Sequence, residues 1–292
     1  MFALVGILVV LGSVVGGYLL AHGNLLVLFQ PAEFVIIGGA AVGSLLVANP
    51  LPVIIGIARG LLGIFKGSRF TKAFYLENLK MLNELFSYAR KNGLAKLEPD
   101  VEEPTKSPVF SKYPAFLNDH HARAFVCDSL RMVISGGVGQ HDLDQMMEQD
   151  LEVHHQGTTQ PVGALSNMAD ALPGLGIVAA VLGVVITMGA MSGPPEEIGH
   201  KVAAALVGTF LGVLMCYGFV GPLAAHMNKI TEAEMQYYQV LRAGILSFAK
   251  GLPPILATEF ARRTIPAAVR PTFQEMEAAC RGAAKASGGA GT

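Results

Sequence analysis

The sequence predicts an all-α integral membrane protein with four transmembrane helices and a helical cytoplasmic domain. Three observations support this fold class. Of the 292 residues, 52% are hydrophobic and only 15% are charged, which is too apolar for an ordinary soluble domain. Four long stretches contain no Asp, Glu, Lys or Arg. Amphipathic helical patterns occupy the segments between and after these stretches.

The charge-free stretches form two pairs. Each stretch is longer than the roughly 20 residues that a helix needs to cross the hydrocarbon core. Polar residues at 22–24 and 30–31 predict a short turn inside the first pair, and charged residues at 196–201 separate the second. We therefore predict two transmembrane hairpins, with spans within residues 1–32, 34–58, 171–195 and 202–225.

Positive charges indicate the orientation of the spans. Arg59 and Lys66 follow the second span, and Lys229 follows the fourth. Because positively charged flanks stay in the cytoplasm, both termini are predicted to be cytoplasmic. The organisation predicted from these features consists of transmembrane segments 1–58 and 171–225, a cytoplasmic helical domain 59–170, a cytoplasmic helical extension 226–281 and a disordered tail 282–292.

The cytoplasmic domain is predicted to contain three amphipathic helices. The first ends at Gly93, the second ends at Gly136, and the third begins with Asp142 as its N-cap. Prolines at 99, 104, 108 and 114 predict a loop between the first two helices.

Ionisable side chains are predicted to lie only at the ends of the spans, where Glu33, Asp170 and His226 stand. A carboxylate deep in a span is the usual mark of an ion relay. If the protein moves ions, the sequence therefore predicts that another protein supplies the titrating carboxylate.

Mildly polar residues and prolines are the remaining candidates inside the spans. Thr209 and Tyr217 lie in the fourth span, although a membrane Thr more often bonds back to the carbonyl of residue i−4 than lines a pore. Pro173 and Pro222 lie near the cytoplasmic ends of the third and fourth spans, where each frees a backbone carbonyl and permits a bend.

Other function classes receive little support. A net charge of −1 gives no attraction for nucleic acid. The three cysteines lack the spacing of a disulfide framework or a zinc site, and the paired histidines 120–121 and 154–155 lack acidic or thiol partners. P-loop and nucleophile-elbow patterns are missing from the sequence. We predict no enzyme activity, no cofactor and no metal site.

Four ordered motifs resemble those of the MotA family, the four-span subunit of bacterial flagellar stators. Residues 171–185 resemble its third-span motif, and residues 207–223 resemble its fourth-span motif. Residues 89–98 resemble its charged rotor-facing motif, and residues 253–263 with 270–273 resemble its tail motif. Lys96 departs from the family pattern, which has an uncharged residue at this position.

The resemblance implies a homo-oligomeric ring, understood as five copies, around a MotB-type single-span partner whose aspartate binds the ion. It implies a location in the bacterial inner membrane. Pro173, Thr209 and Pro222 match positions associated with the ion path and its gating, to which we add Tyr217. Ala180 stands where sodium-driven relatives tend to carry Thr, which favours protons. Arg90 and Glu98 match residues that contact a rotor switch-complex protein.

Three alternatives remain open from the sequence. The first is an ExbB/TolQ-like ring that energises outer-membrane processes, although such proteins usually have three spans. The second is a self-sufficient ion channel or transporter. The third is a membrane scaffold without ion coupling.

Overall fold

The computed structural model describes residues 2–189, 192 and 194–288, with side chains described up to residue 281. Within those residues the chain is helical and forms no β-strand. The α-helices are α1 (Phe2–Leu20), α2 (Leu25–Leu28), α3 (Pro31–Ala48), α4 (Leu51–Lys66), α5 (Lys72–Asn92), α6 (Glu98–Glu102), α7 (Pro114–Leu117), α8 (His120–Ser135), α9 (Gln140–Met188), α10 (Pro195–Leu214), α11 (Gly221–Ala249), α12 (Pro254–Thr264) and α13 (Phe273–Gly288). A π-helix at Met215–Val220 joins α10 to α11.

Among the described residues, four helical segments are long and apolar enough to cross a membrane, which confirms the predicted number of spans. They are Phe2–Leu20, Leu25–Ala48, Gln140–Met188 and Pro195–Ala249. The last two are much longer than a bilayer requires, because each continues the apolar stretch into an amphipathic one.

The predicted bounds of the second span were wrong. The chain breaks at Asn49–Pro50 and restarts as the separate helix α4, so this span ends at Ala48 rather than Ala58. It also begins earlier than predicted, with the short apolar helix α2. Proline explains both breaks, because Pro31 and the Pro50/Pro52 pair cannot continue a helix from the preceding residues. Charge-free composition alone does not reveal such breaks.

The chain divides into two compact units. The first comprises residues Met1–Gly67 and Gly157–Thr231, and we call it the transmembrane unit. Its buried residues are mostly aliphatic or small and form two clusters, around Ile37 and Leu172 and around Ile57 and Leu165. No residue of α1 is buried. Large apolar side chains therefore face outward, as expected of a surface that meets lipid or other spans.

The second unit comprises residues Ser68–Gln156 and Glu232–Thr292, and we call it the helical unit. Its core contains stacked and edge-on aromatic rings, among them Phe86 on Phe248 with centroids 4.4 Å apart. The predicted ends of the first two inner helices are confirmed, because Gly93 (φ +92°) follows α5 and Gly136 (φ +66°) follows α8.

Several details of the helical unit differ from the predictions. The proline-rich segment after Gly93 contains the short helices α6 and α7 instead of a plain loop. Asp142 is not an N-cap but lies in the first turn of α9, which starts at Gln140 and is continuous with the third span. α13 extends to Gly288, into the predicted tail, while residues 289–292 lie outside the described residues.

Candidate functional site

Small residues bring the backbones of α9 and α10 into direct contact. A Cβ added to Gly212 would lie 2.6 Å from the carbonyl oxygen of Leu172, and one added to Gly176 would lie 2.8 Å from the carbonyl oxygen of Gly208. A Cβ on Gly183 would lie 2.8 Å from the Cα of Ala205. Such spacing allows close helix packing in lipid, where no hydrophobic effect drives association.

Three of the predicted ion-path residues stand along this contact. Pro173 follows Leu172, which meets Gly212. The Ala180 nitrogen is 3.0 Å from the position of a Cβ on Gly208, and Thr209 is the next residue of α10. The structure thus brings Ala180 close to the residue preceding Thr209. Tyr217 and Pro222 lie further along, in or just after the π-helix, and both are exposed.

The hydroxyl of Thr209 differs from those of other threonines in the transmembrane unit. Thr187 Oγ1 donates to the Gly183 carbonyl at 2.8 Å, and Thr231 Oγ1 donates to the Met227 carbonyl at 3.3 Å. These are the bonds to residue i−4 that a membrane Thr usually makes. Among the described residues Thr209 makes no such bond, so its hydroxyl is available to another group.

The π-helix before Pro222 was not foreseen from the sequence. The Gly221 N–H donates to the carbonyl of Cys216, five residues earlier, instead of the usual four. A proline has no N–H and clashes with the carbonyl four residues before it, and a wider turn relieves both problems. Pro222 was the available signal, because a proline inside a long apolar helix requires a local change of helical geometry.

The predicted position of Glu33 was wrong. We predicted that it lies at a span end, but it is 7% exposed and lies on the buried face of α3 with Ile37 and Ala41. The apolar helix α2 precedes it, so the polar end of the span is the turn at residues 22–24. The transmembrane unit therefore contains a buried carboxylate, and the need for a second protein to supply an acid no longer follows from the sequence alone.

Arg90 and Glu98 lie in the helical unit and are exposed. Arg90 is in the last turn of α5 and Glu98 opens α6, with Gly93 and a 3₁₀ turn between them. Within the described part of the chain neither residue takes part in an ion pair. Each charge also stands at the helix end that favours its sign.

The arginines of the tail motif form a local network of hydrogen bonds. Arg262 and Arg263 both donate to the carboxylate of Glu259, and Arg262 also donates to the Pro271 carbonyl at 2.9 Å. Arg270 donates to the Ile265 carbonyl at 2.8 Å. The hydrogen bond from Arg262, followed by the one from Arg263, lowers the pKa of Glu259. This motif therefore fixes the connection between α12 and α13.

The described residues contain no group of three or more His, Cys, Asp or Glu placed to hold a metal ion. The structure offers two candidate functional regions, which are the small-residue contact of α9 and α10 with Glu33 beside it and the exposed charges Arg90 and Glu98.

Comparison with known proteins identifies the family. Residues 4–93 match the model of the Motility protein A N-terminal region, and residues 118–240 match that of the MotA/TolQ/ExbB proton channel family. Motility protein A of Escherichia coli (strain K12) is 40% identical over 277 residues, which are 95% of this chain and 94% of that protein. The chain belongs to the Motility protein A family.

Further members of the family extend the match. Chemotaxis protein LafT of Vibrio parahaemolyticus is 38% identical over 272 residues, which are 93% of this chain and 95% of that protein. The fold is shared with solved structures of the C. jejuni MotAB complex (TM-score 0.74, 18% identity, 91% of this chain and 95% of that one) and of the flagellar MotAB stator complex from Bacillus subtilis (TM-score 0.71, 24% identity, 91% and 96%).

Proposed function

We propose that this chain is a ring-forming stator subunit of the bacterial flagellar motor, which couples proton flow to torque on the rotor. The observation that carries the proposal is the 40% identity to Motility protein A over 95% of the chain. The match to the Motility protein A N-terminal region covers the first hairpin, which favours a stator over an ExbB/TolQ-like ring.

The proposed complex contains a MotB-type single-span partner that supplies an ion-binding aspartate. Support comes from the two solved neighbours, one of C. jejuni MotAB and the other of the flagellar MotAB stator complex from Bacillus subtilis. The outward-facing apolar side chains of the spans, such as Leu8, Val47 and Ile186, would be covered by lipid and by further copies of the chain. We propose five copies in the bacterial inner membrane, with both chain termini in the cytoplasm.

The proposed mechanism turns a small electrostatic change into a step of the ring. One charge that crosses the membrane potential releases roughly 2.3 kcal/mol per 100 mV. Protonation of the partner's aspartate removes its attraction for the polar groups of α9 and α10, with the Thr209 hydroxyl as one such group. Pro173 and Pro222, which each free a backbone carbonyl and permit a bend, would let these helices adjust.

We propose protons as the ion, because Ala180 has no hydroxyl to coordinate a dehydrated sodium ion. The test is the motility of a deletion strain that carries this chain and its partner, in sodium-free medium with and without a protonophore. We expect swimming that the protonophore abolishes. Swimming that requires sodium would contradict the proposed ion.

Arg90 and Glu98 are proposed to contact a rotor switch-complex protein. Exposed charge pairs contribute only about 0 to 1 kcal/mol at physiological salt, which suits contacts that form and break at each step. We expect Arg90→Glu to reduce torque while the membrane level of the chain stays unchanged, and reversal of a complementary rotor charge to restore part of it.

A matched control for Arg90→Glu is Lys106→Glu, which reverses another exposed positive charge of the helical unit. The control should leave torque unchanged. Normal swimming of both the Arg90→Glu and Glu98→Lys strains would contradict the rotor contact.

A further inference from the structure

Glu33 is a buried carboxylate for which the proposed function gives no role. Its Oε2 atom lies 2.7 Å from the position that a Cβ on Gly208 would take. That same position is 3.0 Å from the Ala180 nitrogen and 3.1 Å from the Ala179 Cβ. The missing side chain of Gly208 thus creates the space in which the carboxylate oxygen sits, against the contact of α9 with α10.

The carboxylate lies well inside the apolar layer. Gly208 is roughly 20 Å along α10 from its first residue, Pro195, at about 1.5 Å per residue. It is roughly 9 Å beyond Val202, where the charge-free stretch of α10 begins. On the other side, the apolar residues of α2 separate Glu33 from the polar turn at 22–24. In the proposed orientation this depth corresponds to the outer half of the bilayer.

Glu33 has no electrostatic partner at this depth. Its Oε2 atom is fully buried and has no hydrogen-bond partner among the described residues. The other atoms nearest to the same Cβ position of Gly208 are the Ala180 nitrogen and the Ala179 Cβ, and neither residue titrates. Lys201 is roughly 10 Å along α10 from Gly208, Cys216 is roughly 12 Å away in the other direction, and Asp170 is roughly 15 Å along α9 from Ala180.

The energetics favour a carboxylic acid over a carboxylate. An ionised and unpaired carboxylate costs several kcal/mol in a low-dielectric interior. The N-terminal end of α3 favours negative charge, but this effect offsets only about 0.3 to 1 kcal/mol of the cost of burying the carboxylate. A protonated Glu33 carries no net charge, and its O–H can donate to a water molecule or a hydroxyl.

We propose that Glu33 is a second proton-binding group on the ion path, held as a carboxylic acid beside Gly208. This inference rests on the proposed function, because the proton moves on only if the complex conducts. The Glu33 O–H bond breaks, and the proton passes through water to the carboxylate of the partner's aspartate, which becomes a carboxylic acid. Glu33 then takes a new proton from water at the outer face.

Infrared difference spectroscopy of the purified complex tests the protonation state directly. At neutral pH we expect the carbonyl stretch of a protonated carboxylic acid in the wild type, its loss in Glu33→Gln and its retention in Glu103→Gln, which removes an exposed acid. If Glu33→Gln fails to assemble, Glu33→Asp should move the band. A spectrum that either Glu33 variant leaves unchanged would overturn the proposal.

Proton flux into liposomes that contain the complex tests the role in conduction. We expect Glu33→Gln to slow the flux by roughly a hundredfold, the scale of a lost proton-transfer group, and Glu33→Asp to retain most of it. Wild-type flux in Glu33→Gln, or equal losses in both variants, would overturn the role. If the wild-type complex conducts no protons, the proposed function fails, while the infrared difference still decides whether Glu33 is protonated.

Discussion

The two units of this chain are stabilised in different ways. In the transmembrane unit, contacts between α9 and α10 are made by glycine and alanine, and the large apolar side chains point outward. In the helical unit, large aromatic and aliphatic side chains are buried and charged groups form pairs at the surface. The helical unit follows the hydrophobic effect in water, whereas the transmembrane unit relies on close backbone packing.

This difference predicts opposite sensitivities. In the helical unit, removal of side-chain volume should be costly. In the transmembrane unit, addition of volume at the α9–α10 contact should be costly. The following substitutions test this contrast, in decreasing order of expected effect.

The largest effect is expected from Phe86→Ala in the helical unit. Phe86 is fully buried and stacks on Phe248. Loss of a buried aromatic ring leaves a cavity and costs about 3 to 5 kcal/mol. Hydrogen exchange of the α5 amides in the purified complex measures this loss of stability. Phe273→Ala, at an exposed aromatic residue, is the control, and equal losses in both variants would contradict the described core.

The next effect is expected from Gly212→Ala in the transmembrane unit. The added methyl group would meet the Leu172 carbonyl oxygen and the Gly176 Cα, which are backbone atoms that cannot rotate away. We expect destabilisation of about 2 to 3 kcal/mol, measured as a lower midpoint of thermal unfolding in detergent. Gly39→Ala is the matched control, because nothing lies within 4 Å of a Cβ there. An equal fall in both variants would show that helix packing is not the cause.

A smaller effect is expected from Tyr237→Phe. The Tyr237 hydroxyl donates to Asn78 Oδ1 at 2.7 Å in the core of the helical unit. The change leaves a buried amide oxygen without its donor, which should cost about 1 to 2 kcal/mol in thermal unfolding. Tyr88→Phe is a control at a partly buried tyrosine of the same helix as Asn78. No difference between the two variants would argue against the hydrogen bond.

The smallest effect concerns the ion pairs that Glu259 forms with Arg262 and Arg263, and their dependence on pH. The Arg262 hydrogen bond lowers the pKa of Glu259 below its ordinary value of 4.5. Its contribution to stability is therefore complete above pH 4.5 and is lost as the pH falls through the folded-state pKa. We expect Glu259 to contribute about 0.5 to 1 kcal/mol to the free energy of unfolding, because Arg262 and Arg263 lie three and four residues after it on the same helix. Glu259→Gln should remove this part of the acid sensitivity, whereas Glu103→Gln should not.

The sequence predicted the number of spans because a charge-free stretch of more than about 20 residues is typical of a helix that crosses a bilayer. It also predicted helix ends at Gly93 and Gly136, where a positive φ favours glycine. The breaks at Gln30–Pro31 and Asn49–Pro50 changed the span limits, since they depend on where proline interrupts an apolar run.

The site was less accessible from the sequence than the fold. Ala180 and Thr209 were named through the family motifs, but no sequence spacing indicates that Glu33 points at Gly208. That contact depends on the packing of three helices that are distant in sequence. The composition placed Glu33 at a span end because the apolar helix α2, which precedes it, is short. The space that Gly208 leaves for a carboxylate becomes visible only in three dimensions.

The central claim is that proton conduction requires both this chain and a partner that carries its own aspartate. The most direct measurement is proton flux into liposomes that contain either this chain alone or the chain purified with its MotB-type partner. We predict flux with the complex and none with the chain alone, despite the presence of Glu33. Equal flux from the chain alone would show a self-sufficient channel and would contradict the account.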